Sequence, residues 1–136
     1  SYRYALLLQA RILKEEGKLQ EAEAAIIRYV NWDDRYILDI AVYAMLLAEW
    51  GIINQEYLDI MHSSRMDIGY GFYYILAYIS FLQGKTAKMT QYIKEKTTTS
   101  KKDSHSIEEI KSLSESKEKF EEFINEITII ESQLNR

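Results

Sequence analysis

Gly17, Gly51 and Gly84 stand 34 and 33 residues apart, and each lies between two stretches whose apolar residues recur with a helical period. A tight turn between antiparallel helices needs a backbone position with positive φ, which glycine adopts without steric cost. A fixed period of this length predicts a series of helical hairpins. The flanks agree with it. Residues 2–16 carry apolar side chains at 4, 6, 7, 8, 10, 12 and 13, one wide face of a helix. After Gly17, Leu19, Ala22, Ile26, Ile27 and Val30 line one side of a second helix, with Glu21 and Glu23 in the early turns where the helix dipole favours acids. Asn31, Asp33 and Asp34 offer N-cap oxygens to a third helix running through Tyr36 to Trp50, and Asn54 caps a shorter fourth, QEYLDIMHS, that stops at 63–65. Residues 70–82, YGFYYILAYISFL, predict a buried fifth helix, and Thr86 to Lys96 predict a sixth.

The apolar run 70–82 would rise only ~20 Å as a helix, short of the ~30 Å hydrocarbon layer, so protein rather than lipid must cover it. The chain of 136 residues suits one domain with its own core. It has no proline, and only residues 97–104, TTTSKKDS, read as a linker, which predicts an all-α fold. Its 17 basic and 21 acidic residues leave a net charge of -4, which argues against nucleic acid and membrane surfaces as partners. Without cysteine there is no disulfide, thiolate metal site or thiol nucleophile, and cytoplasm is the expected compartment. No signal-peptide pattern opens the sequence at Ser1, which leaves room for a fragment of a longer chain.

On these residues the chain resembles the tetratricopeptide repeat family, whose 34-residue unit has a small residue at position 8, glycine near 15 and alanine at 20. With Gly17 as position 15, the first repeat has Ala10, Ala22 and Ile26 at positions 8, 20 and 24, and GKLQEA is similar to the family's turn. The second has Tyr43 and Ala44 at positions 7 and 8 but Glu56 at 20; the third has Leu76, Ala77 and Met89. The resemblance covers about residues 3–97. It implies stacked antiparallel hairpins, about three repeats, whose first helices line a concave groove.

Carried across, the groove positions are Tyr4, Leu7, Arg11 and Lys14; Leu38, Ala41, Met45 and Ala48; and Gly71, Tyr74, Tyr78 and Phe81. Of these, Tyr4, Leu7, Arg11, Leu38, Ala41, Met45, Tyr74, Tyr78 and Phe81 are the expected partner-binding residues. Leu7, Arg11, Ala41 and Met45 stand where carboxylate-clamp members of the family have Lys and Asn, so no such clamp is implied. The expected guest is an amphipathic helix or extended apolar segment of a protein; the competing reading makes the aromatics core, covered by the chain's own later helix.

After a linker at 98–105, residues 106–136 form a C-terminal amphipathic helix. Ser106 and Glu109 make a capping box, the stripe runs Ile107, Ile110, Leu113, Phe120, Phe123, Ile124, Ile127, Ile130 and Leu134, and a break is expected at 112–117. This helix caps the stack, enters the groove or pairs with a helix of a partner. His62 and His105 stand apart, and no phosphate loop, nucleophile elbow or metal cluster accompanies them, so neither an enzyme nor a cofactor is expected. The function expected is a protein-interaction module. Its most concrete form is similar to the tetratricopeptide-type chaperones of bacterial type III secretion; the alternative is a regulatory domain of a larger transcription or signalling protein, with a homodimer left open.

Overall fold

All three turn glycines adopt positive φ, at 78° for Gly17, 90° for Gly51 and 74° for Gly84. Each closes the same pair of bonds. At Gly17 the Lys18 amide returns to the Leu13 carbonyl and the glycine amide to Lys14; Ile52 to Leu47 with Gly51 to Ala48, and Lys85 to Ser80 with Gly84 to Phe81, repeat the pattern. This six-to-one and five-to-two closure satisfies carbonyls that a helix end leaves unpaired. The computed structural model describes residues 2–31, 37–67 and 70–135.

Among them the turns separate α1 (Tyr2–Glu15) from α2 (Leu19–Val30), α3 (Ile37–Glu49) from α4 (Gln55–Asp67), and α5 (Tyr73–Leu82) from α6 (Thr86–Thr98). Three hairpins therefore follow one another, with α2 packed on α3 and both α3 and α4 packed on α5. Then come α7 (Ile107–Leu113) and α8 (Lys117–Leu134), the latter lying against α5 and α6. Among the described residues the fold is all-α apart from a two-residue parallel pairing of β1 (Tyr70–Gly71) with β2 (Lys102–Asp103). Buried residues of every hairpin join Ile110, Phe120, Phe123, Ile127 and Ile130 in one hydrophobic core.

Asn54 caps α4 through its side-chain oxygen, which accepts from the Tyr57 amide at 3.0 Å. The helix runs to Asp67, past the stop expected at 63–65. The caps expected from Asp33 and Asp34 lie outside the described residues. Ser106 and Glu109 form the expected capping box at α7, and the break between α7 and α8 falls at 114–116.

The apolar run departs from expectation at its start. Its helix begins at Tyr73 rather than Tyr70, because Asp103, thirty residues on, takes the Tyr73 and Tyr74 amides on its two carboxylate oxygens at 2.9 and 3.1 Å. The segment 98–105 is thus docked rather than a bare connection: it pairs β2 with β1, gives the Ser104 amide to the Gly71 carbonyl at 2.7 Å, and buries His105. Gly71 is buried in this pairing, and a Cβ there would stand 2.1 Å from the Tyr73 ring.

Candidate functional site

The groove positions of the third hairpin converge on α8. Tyr78, fully buried in the middle of α5, meets Phe120 edge-on at 5.7 Å and Phe123 at 4.9 Å between ring centroids. Phe81, one turn on, meets Phe123 at 5.7 Å. Tyr74, nearly one turn before, gives its hydroxyl to Glu131 at 3.4 Å, with the Lys96 ammonium 5.8 Å from its ring centre. As Phe123 sits at the late end of α5 and Glu131 at its early end, α8 runs antiparallel to α5. The period of α8 produces this seat: Phe120, Phe123, Ile127 and Ile130 are its buried residues and fall on one face.

Glu49, the last residue of α3, fixes the start of α8. Its carboxylate is buried and accepts four bonds, from the Tyr78 hydroxyl, the Ser114 hydroxyl, the Glu115 amide at 2.9 Å and the Ser116 amide at 3.4 Å. Two of these donors are amides in the break between α7 and α8, and the Ser116 amide also reaches the Ser114 hydroxyl at 3.3 Å. The Glu49 main-chain carbonyl in turn accepts from the Lys119 ammonium at 3.0 Å. Burial, then the bond to Glu49, pushes the Tyr78 hydroxyl well above the ordinary phenol range.

Beside it Glu115 ties α1 and the residue that follows α3 to the same break. One of its oxygens accepts from Arg11 of α1 at 2.8 Å and the other from the Trp50 indole at 3.0 Å. Burial raises the Glu115 carboxyl, but the Arg11 and Trp50 bonds outweigh it and the net shift is downward. Lys117 gives its ammonium to the Lys111 and Ser114 carbonyls at 2.6 and 2.7 Å, closing the end of α7.

Of the nine expected binding residues, Arg11, Tyr74, Tyr78 and Phe81 therefore all touch the C-terminal unit. Ala41 and Met45 are fully buried in the core, Leu7 packs half-buried against it, and Tyr4 and Leu38 are exposed. In this structure the occupant of the face is α8 of the same chain. Glu49, Ser114, Glu115 and Trp50 were not singled out from sequence. A signal existed, for Glu49 is an acid at the end of an apolar helix with no basic neighbour, where the helix dipole disfavours a carboxylate unless donors meet it.

His62 is exposed, with Nδ1 2.9 Å from the Tyr92 hydroxyl, at the edge of a cleft of about 120 Å³ between α4, α5 and α6 that Asp59, Gln83 and Lys88 also line. Among the described residues no three His, Asp or Glu side chains stand close enough to share a metal ion. Nor is any helix long and apolar enough to cross a membrane. The chain matches no protein-family model, no curated protein and no solved structure.

Proposed function

We propose that this chain is a protein–protein interaction module on the tetratricopeptide repeat plan, whose first helices form a face that receives an amphipathic helix. The observation that carries the reading is the seat of α8, an amphipathic helix laid along α5 with its aromatic residues against Tyr78 and Phe81. A face that holds one such helix has the shape and apolar surface to hold another of the same pattern. Aromatic residues three apart, followed by aliphatic ones four and three further on, define the guest. The nearly equal spacing of the three glycine turns, 34 and 33 residues, supports the repeat plan.

Two settings suit this module. As a cytoplasmic secretion chaperone it would shield an apolar helix of a client, and α8 would give way to that helix. As a regulatory domain of a larger transcription or signalling protein it would work with α8 in place, and the closed face favours this second setting.

The test loosens the resident helix within the chain of residues 1–136. Phe120→Ala with Phe123→Ala weakens the seat, and a labelled peptide of residues 117–134 is then titrated by fluorescence anisotropy. Binding by the double variant and none by the parent chain supports a helix-receiving face. A helical double variant that leaves the peptide free removes the proposal. Recovery of a stoichiometric apolar partner from the native cell selects the chaperone setting.

A further inference from the structure

The seat of α8 begins with a bound carboxylate. Glu115 stands one residue before Ser116, whose side chain accepts from the Lys119 amide and so caps α8. Its Oε2 accepts from Arg11 Nε at 3.2 Å and from Arg11 Nη2 at 2.8 Å, while its Oε1 accepts from the Trp50 indole N–H at 3.0 Å. Lys14 adds to the positive field there, with its ammonium 6.0 Å from the Trp50 ring centre. Two hairpins build this receptor, since Arg11 lies in the middle of α1 and Trp50 sits at the turn after α3, where its amide reaches the Leu46 and Leu47 carbonyls. Among the described residues, the side-chain groups bonded to this carboxylate are all N–H donors. A carboxylate offers such a set an acceptor at each oxygen, whereas an amide must turn its own N–H₂ toward Arg11 or Trp50.

Register along the face decides which residue arrives there. With Phe120 and Phe123 laid against Tyr78 and Phe81, the residue ahead of the helix cap is carried to Arg11 and Trp50. We infer that Arg11, Lys14 and Trp50 form an acid-reading subsite of the helix-receiving face, and that its guest is a protein segment with a glutamate directly before the helix N-cap, five residues ahead of the first of two aromatic residues. Glu115 is the resident copy of that ligand. The inference deepens the helix-receiving reading and rests on it. The subsite reads a side chain ahead of a helix, not a chain terminus. The Arg11 side chain is 45% exposed, so its charge alone adds little in water. Discrimination falls mainly to Trp50, a buried residue whose N–H loses this acceptor when the acid is missing.

The test separates the acid from the helix. In a chain carrying Glu115→Lys, Phe120→Ala and Phe123→Ala, the new ammonium meets Arg11 and Lys14 and drives the resident turn off the subsite. A labelled peptide of residues 112–134 and its Glu115→Gln form are then titrated by fluorescence anisotropy. The glutamate peptide is expected to bind about fivefold tighter. The gap should close when the host also carries Arg11→Ala and Trp50→Phe. Equal affinities of the two peptides overturn the inference and leave the helix-receiving face standing. A gap that survives Arg11→Ala with Trp50→Phe overturns it as well, and a helical host that binds neither peptide removes both readings. A second measurement needs no loosened host: Glu115→Gln in the otherwise parent chain should speed hydrogen exchange several-fold at the Phe120 amide, which bonds the Ser116 carbonyl in the first turn of α8. Unchanged exchange there counts against the subsite and overturns the inference.

Discussion

The Tyr78 hydroxyl donates to the Glu49 carboxylate at 2.5 Å, joining the middle of α5 to the end of α3 beneath the start of α8. The same carboxylate serves three donors of the α7–α8 break, so one side chain satisfies polar groups from three parts of the fold. Glu49→Ala takes the acceptor from the buried Tyr78 hydroxyl and the Glu115 amide, while the Ser114 hydroxyl and the Ser116 amide keep each other's residue as a second contact, at an expected cost of roughly 2–4 kcal/mol. Glu49→Gln keeps one acceptor oxygen and should lose less. Urea denaturation midpoints of the two variants check the order, and a double-mutant cycle of Tyr78→Phe with Ser114→Ala should reveal coupling through the shared oxygen.

At Gly51 nothing stands within 4 Å of where a Cβ would lie, so substitution there tests backbone strain free of collision. Gly51→Ala forces a left-handed φ on an L residue and should cost about 1–2 kcal/mol. Asn tolerates that region better, and Gly51→Asn should fall between glycine and alanine. Thermal unfolding of the series measures it.

Burial pulls the His105 imidazole below its ordinary pKa, with Glu109 and Asp39 pulling weakly the other way. The folded value lies under the unfolded one, so the unfolded chain takes the proton first. Stability from this site is present above pH ~6.5 and is lost as pH falls through the folded value. Urea midpoints at pH 7.5 and 5.5 should differ less in His105→Gln than in the parent chain.

Asp103→Ala removes the acceptor for the first two α5 amides and should cost about 1 kcal/mol as a lost helix cap. Asp103→Asn retains part of it. Hydrogen exchange at the Tyr73 and Tyr74 amides gives a local readout, since both should exchange faster in the alanine variant even if global unfolding changes little.

Local chemistry made much of this fold legible. A positive φ at a helix end selects glycine, so Gly17, Gly51 and Gly84 announced their turns, and Ser106 with Glu109 announced the start of α7. The break at 114–116 was visible in the interrupted stripe. What escaped depends on residues far apart in the chain. The α5 start shifts to Tyr73 because a carboxylate from position 103 reaches it, and no window around Tyr70 contains that fact. Tyr74, Tyr78 and Phe81 were picked as one surface by their repeat positions, and they do share one, but the helix filling it comes from residues 117–134. Periodicity marks an apolar face without naming what lies upon it. Glu49 looked like an ordinary helix end until Ser114, Glu115 and Ser116 were placed against it.

The cap that Asp103 provides crosses back over the whole of α6. Residues 70–104 consequently form a clasped loop rather than a free-standing repeat, and the unit that could be transplanted or exchanged between such proteins is longer at both ends than its two helices. A graft of 73–98 alone would carry the aromatic face but leave its first turn unfastened.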